Sequence, residues 1–216
     1  MVAVPATPAL PAQTLAPPGM LALAPASVAE ASHTDFVVRG AQLNVLAAHR
    51  VTVRGALAEA HRAGRAGRVV DLQALGRHGW RTIAATRTRA HGRFHVSYVP
   101  HGLLSERVRL RFRGDALGRS TRRVLGRLNV YRLAGASWYG GGGGLACGGS
   151  LSSSTLGVAN KTLPCGTIVT LRYNGRSVRV PVIDRGPYVA GREFDLTEAT
   201  KRALGFGDTG EVWSTG

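Results

Sequence analysis

The chain has 216 residues, 44% of them hydrophobic, and a formal net charge of +16. The length allows one large or two small domains, and no apolar run approaches the roughly 18 residues of a membrane-spanning helix, so a helical span is excluded. The charge is concentrated in residues 1–133, which hold twenty arginines against six acids, while residues 134–216 are nearly balanced, with eight Lys/Arg and six Asp/Glu.

In chain order, residues 1–34 are rich in Ala and Pro and read as a disordered leader or the remnant of an export signal. "MLALAPASVAEAS" carries small residues suited to a cleavage site, although no basic stretch precedes it. From 35 to 132 the text turns to short segments that alternate apolar and polar, the period of a half-buried strand. They are "RVTVRG", "RVVDLQ", "WRTIAATRT", "RFHVSY", "RVRLRFRG" and "RLNVYR". Gly- and His-containing turns separate them, and this spacing predicts a small antiparallel sandwich. "ALAEAHRAGRAG" (56–67) has helical composition, but its glycines make it an expected connection. With "GRVVDLQ", "GWRTIAATRT", "GRFHVSYVP" and "VRLRFRGDALGRS", the stretch resembles the Ig-like or transthyretin-like sandwich modules of bacterial surface proteins, which implies a spacer or adhesive role.

The basic half suits a polyanionic partner such as an anionic wall polymer, or else arginines interleaved on solvent-facing strand positions. Nucleic acid is not expected, because no helix-turn-helix, zinc-finger or RNP pattern occurs. His91, His95 and His101 have no acidic or Cys partners nearby and predict no metal site.

Residues 133–216 form the third segment. Five glycines (140–144) follow "ASWY", but no Lys-Ser/Thr and no strand–helix frame accompanies them, so a phosphate loop is not expected. "TIVTLRY" and "RSVRVPVID" read as strands joined by an Asn-Gly hairpin turn. "LTEATKRALGF" reads as a short helix capped by Thr197 and ended by Gly205. Cys147 and Cys165 have no histidine near them in sequence, which excludes a zinc site and leaves a disulfide or two buried thiols. We favour the disulfide, and with it an oxidising compartment.

The chemistry-bearing stretch is "DRGPYVAGREFDL" (184–196), with Asp184 and Asp195 on either side of a Gly-Pro turn. An Asp before such a turn often bonds its own backbone, and Arg185 or Arg192 could pair with either carboxylate. The pair is therefore a structural brace or the acid of a reaction.

"ASWYG" (136–140), "ANKTLPCGTIVTL" (159–171), "NGRSVRVPVIDRGPY" (174–188) and "GREFDLTEATKRALG" (191–205) resemble, in order, the double-psi β-barrel domain of the rare lipoprotein A (RlpA) family of septal lytic transglycosylases. That barrel is shared with expansins and with membrane-bound lytic transglycosylase A. The resemblance implies an all-β chain: an N-terminal β-sandwich (35–132), then a six-stranded double-psi barrel with a short helix (133–216). It implies a secreted or wall-associated protein acting on peptidoglycan glycan strands, with Asp195 as general acid/base and Asp184 as its partner. It also implies a Cys147–Cys165 disulfide and no cofactor or metal. A carboxyl desolvated beside Phe194 and Leu196 and facing a second carboxylate is expected to hold its proton near neutrality. Tyr139, Asn160, Thr162, Arg185 and Tyr188 are the expected substrate-binding residues, with Tyr139 and Tyr188 on an exposed groove. Two positions depart from the family pattern: "GGSLSSSTLG" (148–157) lacks an acid, and Asn160 stands where a His is common. These departures bring in the alternative of an expansin-like module that binds and loosens the wall without cleaving it.

Overall fold

The computed structural model describes residues 30–60 and 62–216. The expected leader falls mainly on residues 1–29, outside those described. Its last residues join the fold. Ser32 N–H donates to Leu117 O at 3.0 Å, and Thr34, buried, opens the first strand and donates its hydroxyl to Arg119 O at 2.7 Å.

Seven strands and the first part of an eighth enclose one core. They are β1 (Thr34–Gln42), β2 (Asn44–Leu46), β3 (Val51–Glu59), β4 (Val69–Gly76), β5 (Gly79–Arg87), β6 (Arg93–Tyr98), β7 (Leu104–Phe112) and β8 (Thr121–Tyr139). β1, β3 and β6 form one antiparallel sheet, and β5, β4, β7 and β8 form the other, with β2 parallel to β8. Phe36, Val53, Leu57, Leu72, Phe94 and Leu110 are among the inward residues of both sheets. β1 was not expected, and a register shift between Val38 and Gly40 interrupts its alternation. The segment expected as a connection from Ala56 is strand as far as Glu59. Leu57 and Glu59 continue the inward row of β3, and β1 pairs along its whole length.

β8 then runs through residue 133 without a break. Its first part pairs with β7, and Arg132–Ser137 pair antiparallel with β15 (Thr209–Ser214). The remaining strands are β9 (Gly143–Gly144), β10 (Ser150–Leu151), β11 (Val158–Ala159), β12 (Ile168–Tyr173), β13 (Arg176–Asp184) and β14 (Phe194–Thr197), with helix α1 (Glu198–Leu204) before β15. β8, β15, β12, β13, β11 and β14 pair in that order, and β14 returns to β8, closing a six-stranded barrel. Two pairings, β8–β14 and β11–β13, are parallel. The other four are antiparallel.

A second core fills the barrel, built from Ala136, Val158, Leu171, Val182, Phe194 and Leu196 among others. Where the two cores meet, Tyr131 packs on Trp213 at 5.7 Å, and Asn44 Oδ1 accepts from Tyr131 Oη at 2.8 Å. The expected hairpin is present, with Asn174 and Gly175 at positive φ (45° and 82°) as its turn requires. α1 is capped as expected: Thr197 Oγ1 accepts from Thr200 N–H, and Gly205 is left-handed.

Candidate functional site

Asp195 and Asp184 meet through the shortest barrel strand. Ala159 on β11 is in register with Asp195 of β14 on one side and with Asp184 of β13 on the other. Two strand spacings, roughly 10 Å, therefore separate their backbones. Gly135 lets the intervening loop descend onto β8. A Cβ there would lie 2.0 Å from Gly191 O, and Glu193 N–H donates to Gly135 O at 2.8 Å.

Each carboxylate is fixed differently. Parallel pairing of β14 with β8 sets Asp195 opposite Ser137, whose buried hydroxyl donates to Asp195 Oδ1 at 2.6 Å. Phe194 and Leu196 turn into the barrel core, the opposite face of the strand. Ser137 binds the Asp195 carboxyl and Tyr139 lies near enough to feel its charge, whereas the apolar pair expected beside it from its sequence neighbours faces the core. Asp184 Oδ1 accepts two backbone N–H groups, from Ala146 and from Arg185, both at 2.9 Å. The second is the local bond expected of an Asp before a Gly-Pro turn; the first comes from 38 residues away.

Tyr139 is half-buried, and its hydroxyl is fully buried without a regular hydrogen-bond partner among the described residues. Burial first, then the negative charge of Asp184, its nearby carboxylate acceptor, and the charge of Asp195 push the phenol well above its ordinary value. It is a neutral donor held near both carboxylates. The exposed-groove expectation fits Tyr188, which is 80% exposed, and not the Tyr139 hydroxyl.

The other expected residues build the wall of the site. Asn160, buried, donates Nδ2–H to Glu193 O at 3.0 Å, and its Oδ1 accepts from the N–H groups of Thr162 (3.0 Å) and Leu163 (2.8 Å). Thr162 itself is exposed. Arg185 pairs with neither carboxylate: its guanidinium donates to Asn160 O (2.9 Å), Leu163 O (2.8 Å) and Cys165 Sγ (3.1 Å). No ion pair among the described residues involves Asp184, Asp195 or Arg192. Cys147 and Cys165 form a disulfide with Cα atoms 5.6 Å apart. It ties the segment that supplies the Ala146 N–H to the 160–165 loop. Beside the site, Trp138 is braced by Asp208 (Nε1–H to Oδ1, 2.9 Å) and by Lys201, whose Nζ lies 3.8 Å from the ring centre. Among the described residues no three His, Cys, Asp or Glu side chains cluster to hold a metal ion.

Sequence reasoning missed Ser137 as a partner of Asp195 and Ala146 as a partner of Asp184. Ser137 lies within the quoted "ASWYG", but its role follows from a parallel pairing 58 residues long-range. A backbone donor such as Ala146 N–H leaves no signal in sequence.

Comparison with known proteins gives matches to the C-terminal part of the chain. Residues 133–213 match the family model described as lytic transglycolase. A probable endolytic peptidoglycan transglycosylase RlpA of Aquifex aeolicus is 44% identical over 75 residues, covering 32% of this chain and 33% of the relative. An endolytic peptidoglycan transglycosylase RlpA of Pseudomonas aeruginosa is 41% identical over 87 residues, 38% of this chain and 26% of the relative. The chain thus spans about a quarter to a third of the length of these curated relatives. Among solved structures, the Streptomyces papain inhibitor aligns with 39% of this chain and 90% of its own at 23% identity and a TM-score of 0.33, too distant a likeness to bear on the fold. With the closed six-stranded ring and its two parallel pairings, the family model and the RlpA relatives make residues 133–213 an RlpA-like double-psi β-barrel.

Proposed function

We propose that the chain is a secreted or wall-associated lytic transglycosylase that cleaves the glycan strand of peptidoglycan, with Asp195 as general acid and then base. The observation that carries this reading is the Ser137 hydroxyl on Asp195 Oδ1 at 2.6 Å. It engages one carboxyl oxygen and leaves Oδ2 to bear the mobile proton. In the proposed reaction Asp195 Oδ2–H protonates the glycosidic oxygen as the C1–O bond breaks. The 6-hydroxyl of the same sugar then attacks C1, and its proton passes to Oδ2. A 1,6-anhydro ring forms, no water is consumed, and the carboxyl returns to its starting state. One acid suffices, unlike the two carboxylates of most glycoside hydrolases. Asp184, fixed by two N–H groups, presents negative charge toward the cationic sugar of the transition state, and the neutral Tyr139 hydroxyl lies near both carboxylates, free to donate to the substrate. The names of the RlpA relatives support the substrate class, and the disulfide suits an oxidising compartment. No described helix is long and apolar enough to cross a membrane. The basic sandwich would engage anionic wall polymers.

One observation favours a second reading, an expansin-like module that binds without cleaving. The Asn160 side chain is committed to Glu193, Thr162 and Leu163, so it moves no proton at a position where relatives often carry His. Incubating the full chain with purified peptidoglycan and analysing the soluble fraction by mass spectrometry separates the two. The transglycosylase reading expects anhydro-ended muropeptides, absent with Asp195→Asn. Binding without such products supports the second reading instead.

A further inference from the structure

The outer face of the β5-β4-β7-β8 sheet carries a cationic depression that the barrel chemistry does not use. Val108, Leu110 and Phe112 of β7 point into the core, so the alternate residues Arg109, Arg111 and Arg113 lie on the outside. Successive members of this row are roughly 7 Å apart along the strand. β8 adds Arg122 directly opposite Arg111, and further along Arg127 stands opposite Arg107. Like charges set directly across a pair of strands are destabilising. Arg109, Arg111, Arg113 and Arg122 line a depression of about 500 Å³ with the hydroxyl residues Ser120 and Thr121, and no acid is among its lining residues. One carboxylate shares the face: Asp71 of β4, its side chain largely buried, stands directly opposite Arg111 on the side away from Arg122 and pairs with Arg113 at 3.3 Å. Arg111 and Arg122 have no ion-pair or hydrogen-bond partner among the described residues. Burial first, then the charges of Arg111 and Arg122, lower the pKa of the Arg109 guanidinium, as expected where cations crowd.

We propose that this face docks a linear phosphodiester polyanion of the cell wall, gripped by Arg109, Arg111, Arg113 and Arg122. The choice of wall polymer rests on the function proposed above; the anion chemistry rests on the face itself. Guanidinium groups match phosphate oxygens in bidentate geometry, and an open row at strand spacing suits a repeating polyanion better than a single ion. The face has little to offer a nucleic acid beyond charge. Its one large aromatic, Trp80, is covered by the Arg109 guanidinium at 4.0 Å from the ring centre, so no base can stack there. Among the described residues, no helix projects from it to enter a groove.

The test uses the full chain and labelled poly(glycerol phosphate), with single-stranded DNA of equal charge and poly-glutamate as the other probes, followed by fluorescence anisotropy over a salt series. The proposal expects poly(glycerol phosphate) to bind most tightly. Arg111→Gln with Arg122→Gln should weaken it about tenfold and flatten the log K against log salt slope by about 1.5, the loss of two phosphate contacts. The same polymer should raise the thermal midpoint of the wild type and not of the double variant. Equal binding by wild type and a folded double variant overturns the proposal, as does tighter binding of DNA or poly-glutamate. The double variant should still release muropeptides from peptidoglycan stripped of anionic polymer. If the wild type binds the polymer but cleaves no glycan, the transglycosylase reading fails and the docking surface stands.

Discussion

Ser137 and Asp195 face each other across the parallel pairing of β8 and β14, and the serine hydroxyl donates to Asp195 Oδ1 at 2.6 Å. If this bond orients the reactive carboxyl, Ser137→Ala should leave the barrel folded but lower the rate of muropeptide release. A hydrogen bond to an ionisable group contributes about 1.5–3 kcal/mol, so the expected loss is roughly 10- to 100-fold. Ser137→Thr, which keeps the hydroxyl, should recover part of it. An unchanged rate in Ser137→Ala would remove the serine from the mechanism.

Tyr139 supplies a test in alkali. Its phenol is raised above its ordinary value by burial, then by Asp184 and Asp195, so the folded form resists an ionisation that the unfolded chain undergoes near pH 10. A raised folded pKa gives stability that is present below the unfolded value and lost as pH rises past it. Between about pH 9 and pH 11 the thermal midpoint of the wild type should therefore fall more than that of Tyr139→Phe. Tyr131 is raised as well, burial being the largest cause, and contributes equally to both proteins. Identical pH dependence would contradict the placement of the Tyr139 hydroxyl.

The disulfide couples stability to the site. Cys147 follows Ala146, whose N–H holds Asp184, and Cys165 accepts from Arg185. Cys147→Ser should cost about 3 kcal/mol in urea unfolding, the chain-entropy figure for a loop of this length. It should also reduce glycan cleavage at temperatures where the variant is still folded, because the Ala146 donor loses its anchor. Loss of stability with full activity would confine the bridge to a structural role.

In the sandwich, Arg68 joins Glu59 (2.7 Å) to Asp115 (2.8 Å), with the Glu59 side chain fully buried. Replacing Arg68 by Met leaves that carboxylate without its closest partner and should cost about 3 kcal/mol. Burial acts to raise the Asp115 carboxyl, but the Leu117 and Gly118 N–H groups and Arg68 hold it below the usual range. A depressed folded value gives stability present above the unfolded pKa and lost as pH falls through the folded one. The acid limb of wild-type stability below about pH 4 should be shallower in Asp115→Asn. Coincident acid limbs would contradict the network.

What was legible in the sequence was local. The Asn174–Gly175 turn, the Thr197 and Gly205 caps and the period-two strands of the sandwich each announce themselves within a few residues. β1 escaped because its bulge breaks the alternation, and the two-residue β11 is too short to show a period at all. That strand nonetheless brings Asp184 and Asp195 together. Asp195 stands out by its motif, but its sequence neighbours are not what surrounds its carboxyl. In a strand the adjacent residues Phe194 and Leu196 face away, and the true neighbour, Ser137, comes from a strand 58 residues earlier.

The central claim, non-hydrolytic cleavage by Asp195, is tested most directly by digesting peptidoglycan with the full chain in ¹⁸O-labelled water and weighing the new glycan ends. Anhydro ends that contain no ¹⁸O are expected, with a rate at least about 100-fold lower for Asp195→Asn. New reducing ends that carry ¹⁸O, or equal rates for wild type and Asp195→Asn, would contradict it.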